Sequence, residues 1–193
     1  MVDKFNDPLL TPKETARYLQ IPVSTMYSWL AEDAAGTPLV HRTAPQRHGW
    51  PSVPFVAVIE AYVLRSLRDL GLTKETIRKA AASVRREFAT PYGLATKRIA
   101  TDGVDIFVQY ANDELARAHD GQMPAREIID GYLRYISWDV ADDFPAALRL
   151  RQYPDIAPVI IDPRFGWGAP VLRSESTRLN SSHKTVSRMP SSA

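Results

Sequence analysis

Thr11 to Leu30 constrains this chain more than any other stretch, because twenty residues hold two short amphipathic segments and a break between them. Thr11 can accept the backbone N–H of Glu14 while the Glu14 carboxylate reaches back, and Pro12 stands at the first helical position, where a missing N–H costs nothing. A helix therefore starts at Pro12. Ala16, Leu19 and Ile21 give it an apolar face, Ile21-Pro22 breaks it, and Pro22 or Ser24 opens a second helix through Met26, Trp29 and Leu30. Met26 and Trp29 read as core, which leaves Ser24, Thr25, Tyr27 and Ser28 outside. Such small or hydroxylated side chains can enter a major groove and reach base edges and phosphates. The pattern is a helix-turn-helix with these four residues as its candidate reading surface. It also fits a helical hairpin buried in a larger core.

Between Leu30 and Phe55, Gly36, Pro38, Pro45, Gly49, Pro51 and Pro54 forbid a helix, while Leu39 to Arg42 can form a short strand. This predicts a wing, with Arg42, Gln46, Arg47 and His48 at its tip able to contact phosphates or a neighbouring minor groove. A solvated loop is the plainer alternative. His41 and His48 have no acidic or Cys partner at ligand spacing, so no metal is expected.

Phe55, Val58, Ile59, Tyr62, Val63 and Leu67 recur at helical spacing with Arg65 and Arg68 opposite, predicting a long amphipathic helix from Phe55 to Leu70 that Gly71 ends. Thr73 caps another helix, with Ile77, Ala80, Ala81, Val84 and Phe88 inward and Lys74, Arg78, Lys79, Arg85 and Arg86 outward. Those five cations form a phosphate-positioning surface or a solvated face.

Beyond Thr90-Pro91-Tyr92-Gly93 the pattern switches. Lys97 to Ala100, an Asp102-Gly103 turn and Val104 to Tyr110 predict a β-hairpin. Pro124 to Leu133 reads as a helix, Tyr132 to Trp138 as a strand overlapping its end, and Ala147 to Gln152 as an alternating strand.

Arg173 to Ala193 changes composition abruptly, with seven Ser in twenty-one residues and no hydrophobic period. Codon by codon, RSESTRLNSSH resembles a translated short-read library adapter carrying a one-base deletion. KTV fits an index and SRMPSSA the adapter segment after it. The tail is read as a disordered sequencing artefact, with the authentic chain truncated after Leu172. The whole chain has a formal charge of +2, but residues 1 to 172 alone carry 20 basic against 21 acidic groups. These divide unevenly: residues 1 to 98 hold 14 basic and 9 acidic groups, residues 99 to 172 hold 6 and 12. A basic N-terminal half suits a polyanion, and an acidic C-terminal half is expected to stay off the same phosphate backbone.

The two-helix reader, the Pro-rich loop, SVPFVAVIEAYVLRSLR and then GLTKETIRKA together resemble the MerR-like winged helix-turn-helix found in VapB-type antitoxins, over about residues 8 to 100. APVIIDPRFGWGAPVL, through Ile161-Asp162-Pro163 and Gly168-Ala169-Pro170-Val171, resembles the opening of a small domain of unknown function that commonly ends antitoxins of this group. The resemblance implies an α+β protein: an all-α winged helix-turn-helix domain at 8–98, a small α+β module at 99–157, and a truncated antitoxin-associated domain beginning at 158–172. It assigns Ser24, Thr25, Tyr27 and Ser28 to the groove, with Lys13, Arg42 and Arg47 as phosphate contacts. It implies double-stranded DNA and a PIN-type ribonuclease toxin as partners, with Arg149, Arg151 or Arg164 reaching the toxin's carboxylates. A homodimer is expected, because one short reading helix buries little surface.

Catalysis finds little support. Asp139, Asp142 and Asp143 are clustered carboxylates without a second cluster to work against, and Glu114, His119 and Asp120 form no recognisable hydrolase triad. With no Cys there is no disulfide, thiolate metal site or thiol nucleophile. No cofactor is expected. No apolar run reaches the length of a membrane span and MVDKFNDP is no signal peptide, so a cytoplasmic protein is expected. The same motifs also fit a MerR-like or excisionase-like regulator with no toxin partner, and an interaction adaptor that binds no DNA.

Overall fold

In the computed structural model the residues described are 2–33, 36–118 and 125–172, with the side chains of 114–118 left aside. The Ser-rich stretch 173–193, and the positions His119 and Asp120, lie outside them.

Local rules set the first two helices. α1 spans Pro12–Tyr18, and its capping box is complete: Glu14 N–H donates to Thr11 Oγ1 at 3.2 Å and Thr11 N–H donates to Glu14 Oε2 at 2.8 Å. Gln20, at φ +52, turns the chain, and Ile21 N–H donates to Ala16 O at 2.8 Å. α2 spans Val23–Leu30 behind Pro22 and buries Met26, Trp29 and Leu30.

α3, Phe55–Asp69, is the axis of the molecule. Every residue from Phe55 to Leu64 is buried, including Glu60, so its first ten positions are enclosed all round rather than along one stripe. Gly71, at φ +83, reverses the chain into α4, Lys74–Glu87, whose cap Thr73 accepts from Thr76 N–H. Ile77, Ala80, Ala81, Val84 and Phe88 pack inward.

The hairpin expected at 97–110 is not formed. Lys97–Ala100 is a turn of 3-10 helix and Asp102–Ala118 is a long helix, α5. Val104, Phe107 and Ala111 are buried at helical spacing with Val108 partly buried beside them, a pattern a strand cannot present to one core. The Asp-Gly pair that signals a turn serves a close approach instead: a Cβ on Gly103 would lie 2.6 Å from Ile99 Cδ1.

α6, Ala125–Leu133, leads into a four-stranded antiparallel meander: β1 Ile136–Trp138, β2 Pro145–Arg149, β3 Val159–Ile161 and β4 Val171–Leu172. β1 begins four residues later than expected, and β2 is shifted toward the N-terminus. The register pairs Ile136 with Leu148 and Leu148 with Ile161, stacking their side chains onto the core side. One buried cluster runs from Leu9 to Ile161 and includes α2, α3, α5 and the sheet. Tyr62 on α3 donates its hydroxyl to Tyr132 O on α6 at 3.0 Å, and burial pushes its phenol above the ordinary range. No helix among the described residues is long and apolar enough to cross a membrane.

In an open helix Gly→Ala stabilises by about 1 kcal/mol. Here Gly103→Ala is expected to destabilise by about 1–3 kcal/mol through overpacking, and Ile99→Val, which removes the clashing methyl, should recover most of that loss. Urea denaturation of the single and double variants measures both.

Candidate nucleic-acid interface

α2 presents the four predicted reading residues unequally. Ser24 and Tyr27 are exposed, Tyr27 at 48%, while Thr25 and Ser28 are partly covered. Ser24, Thr25 and Ser28 line one groove of about 360 Å³, floored by Trp29, Leu72 and Ile77. Tyr27 stands apart from it.

The far wall of the groove comes from the turn between α3 and α4. Gly71 folds α4 back against α2, and Arg68 and Lys74 join the lining. Lys74 Nζ donates to Ser28 Oγ at 2.5 Å. Two cations thus flank three hydroxyls on the outer side of a helix-turn-helix, an arrangement suited to phosphate and base-edge oxygens. The sequence offers Lys74 as one of five phosphate-positioning cations on α4 but gives no such role to Arg68. Periodicity puts Arg68 on the polar side of α3 and Lys74 on the outer face of α4; the Gly71 reversal brings Lys74 to α2, beside Arg68 at the end of α3.

The other predicted residues are not in this groove. Lys13 is exposed in the first turn of α1, and Arg42 and Arg47 are exposed in the loop after α2. That loop is no stranded wing. Leu39 and Val40 N–H both donate to Trp29 O at 2.9 Å and His41 N–H donates to Glu60 Oε2 at 2.8 Å, so the donors a strand would offer to a neighbour are already used. A bond from Thr43 N–H to Ser52 O at 2.9 Å then closes a loop whose far end holds Arg47, its guanidinium 5.3 Å from the Trp50 ring centroid.

The base of this loop is pinned by a charge cluster. Glu60, with no exposed side chain, accepts from His41 Nδ1 at 2.7 Å and from Arg85 Nη2 at 3.3 Å. Arg85 also donates to Pro38 O at 3.2 Å and Leu39 O at 2.7 Å. The expected outward position of Arg85 is therefore corrected: its side chain is 14% exposed and faces inward, joining α4 to the loop. Lys74, Lys79 and Arg86 remain outside, and Arg78 pairs with Asp33 at 3.1 Å.

Two of the three carboxylates weighed as a catalytic cluster have a structural partner. Lys4 Nζ lies 3.1 Å from Asp139 Oδ2 and 3.2 Å from Asp142 Oδ2. The Ala141 N–H and Lys4 hold Asp139 below the usual carboxylate range. Among the described residues no group of three or more His, Asp or Glu is placed to hold a metal ion.

Residues 8–81 match the family described as "Putative DNA-binding HTH domain". Over 91% of this chain and 81% of the relative, the sequence is 30% identical to "Putative antitoxin VapB45" of Mycobacterium tuberculosis. The chain belongs to the VapB antitoxin family. Among solved structures, the crystal structure of Rv2018 from Mycobacterium tuberculosis superposes with a TM-score of 0.71 at 30% identity, covering 88% of this chain and 81% of that one. Both likenesses extend well past residue 81, so what this chain shares with these two proteins includes the C-terminal part of the fold as well as the helix-turn-helix.

Removing Arg85 from this family member leaves the buried Glu60 carboxylate with the His41 donors alone and frees the Pro38 and Leu39 carbonyls. Arg85→Ala is expected to cost about 3 kcal/mol, because it removes the cationic partner of a buried carboxylate. Urea unfolding followed by circular dichroism reads the loss.

Proposed function

We propose that this antitoxin binds double-stranded DNA sequence-specifically as a homodimer, represses its own operon, and neutralises a PIN-type ribonuclease toxin in the cytoplasm. The observation that carries the DNA part is the groove beside α2, where Ser24, Thr25 and Ser28 face outward between Arg68 and Lys74. Hydroxyls supply base-edge contacts and the two cations fix the helix against the phosphates on either side. Tyr27 extends the reading face, and Lys13, Arg42 and Arg47 add backbone contacts from α1 and the loop. Dimerisation follows from affinity: a single eight-residue reading helix buries too little, and two half-sites multiply its binding. The toxin part is supported by the kinship with a protein named as a VapB antitoxin.

Fluorescence anisotropy on a DNA fragment from upstream of the chain's own reading frame, against a scrambled fragment, tests the reading. Tighter binding of the native fragment is expected, and S24A/T25A should reduce that preference by about 1–3 kcal/mol per lost base contact while leaving the salt slope in place. R42A/R47A should weaken binding to both fragments and flatten the slope of log K against log salt by about one unit per lost contact. Equal binding of native and scrambled DNA at every salt concentration would end the proposal. Co-expression with the product of the adjoining reading frame tests the toxin part: a complex lacking ribonuclease activity is expected, and a DNA-binding protein that ignores its neighbour would be a regulator without a toxin.

A further inference from the structure

The acidic C-terminal half carries a cluster of guanidiniums that its net charge conceals. Arg151 lies 3.7 Å from the centroid of the Tyr132 ring, Arg149 4.5 Å and Arg134 5.2 Å from that of Tyr135. Stacking on a ring fixes a guanidinium plane while leaving its N–H edge free for a planar anion. Asp155 pairs with Arg149 at 2.9 Å, whereas neither Arg134 nor Arg151 pairs with a carboxylate among the described residues. Arg134, donating to the Tyr135 hydroxyl with Arg149 and Arg151 nearby, holds that phenol below its ordinary value, as a positive local field requires.

This cluster adjoins the helix-turn-helix. Arg65 shares the Tyr132 ring with Arg151, at 5.6 Å, and donates to Leu19 O at 2.6 Å and Gln20 Oε1 at 3.3 Å, the residues just before α2. Gln152, next to Arg151, donates to Tyr18 O at 2.9 Å. Arg65 in turn lies one helical turn from Arg68 in the α2 groove. A row of cations therefore runs from Lys74 and Arg68, past the turn between α1 and α2, to Arg151 and Arg134, interrupted by Asp69, which pairs with Arg65 at 3.5 Å and accepts from the Tyr132 hydroxyl. Much of the acidity of this half is engaged elsewhere, Asp139 and Asp142 on Lys4, Asp102 on Arg98, Asp105 on Arg126 and Asp162 on Arg164.

We infer that Arg134 and Arg151 form a second phosphate-binding surface, which lengthens the DNA footprint of the helix-turn-helix onto the C-terminal sheet. The inference rests on the DNA-binding reading above. It favours a nucleic-acid backbone over an acidic protein because the row adjoins the start of the reading helix, where a bound duplex carries its phosphates past the flank of the protein.

Anisotropy of the full chain on the native and scrambled fragments across a salt series tests it. R134A/R151A is expected to flatten the slope of log K against log salt by about two units on both fragments and to leave their ratio as in the parent protein. R134K/R151K, which keeps the charge, should restore the slope, and thermal unfolding establishes that both variants are folded. A parent-like slope in R134A/R151A would overturn the inference while the DNA-binding reading stands. So would a slope that lysine fails to restore, which would assign the arginines to packing on the tyrosines. Parent-like DNA binding combined with lost capture of the toxin would assign the cluster to protein docking. If the parent protein binds neither fragment, the DNA-binding reading falls and this inference falls with it.

Discussion

Glu60 is the constraint around which the N-terminal part of the molecule is arranged. A carboxylate with no exposed surface is costly to bury unless hydrogen bonds replace its water. Three groups do so: the His41 backbone N–H, the His41 Nδ1 and the Arg85 guanidinium. These donors come from the loop after α2 and from α4, while Glu60 itself sits on the central helix. Satisfying one charge thus fixes three elements relative to one another. Apolar packing alone is less directional, since hydrophobic surfaces tolerate small sliding that a bonded carboxylate does not.

That arrangement connects stability to the proposed interface. Arg85 also donates from Nη1 to the Pro38 carbonyl and from Nη2 to the Leu39 carbonyl, so the loop bearing Arg42 and Arg47 leaves the core from a fixed base although its far end is exposed. On the opposite flank of α4's start, Lys74 reaches Ser28, so the helix that anchors the loop also walls the groove beside α2. Groove and loop are held by the same two helices, α3 and α4. The C-terminal sheet joins through α6 and Tyr62, and its arginines reach the turn before α2 through Arg65.

Several elements were legible because their signals are local. Thr11, Pro12 and Glu14 start α1 by direct capping, and Thr73 and Gly71 bound the α3–α4 turn by cap chemistry and positive φ. Residues 97–110 read as a hairpin because Asp102-Gly103 is a strong turn signal in isolation. The packing of Val104, Phe107 and Ala111 against one core outweighs it. Leu39 to Arg42 has strand composition, yet its donors are bound to Trp29 and Glu60, partners a local reading does not offer. Arg85 looked like one more outward cation, since nothing in its neighbours shows that a carboxylate twenty-five residues earlier waits inside.

The sequence by itself determined that a helix-turn-helix opens this chain and which positions of α2 face outward, since capping and periodicity act over a few residues, and its motifs carried the resemblance to VapB antitoxins. The tertiary structure alone decided which cations stand beside those positions. Lys74 reaches α2 because Gly71 reverses the chain after α3 and Arg68, Arg85 turns inward because Glu60 is buried there, and Arg151 comes near the turn before α2 because it shares the Tyr132 ring with Arg65. Each depends on contacts between residues far apart in sequence, whose side-chain positions no local pattern encodes.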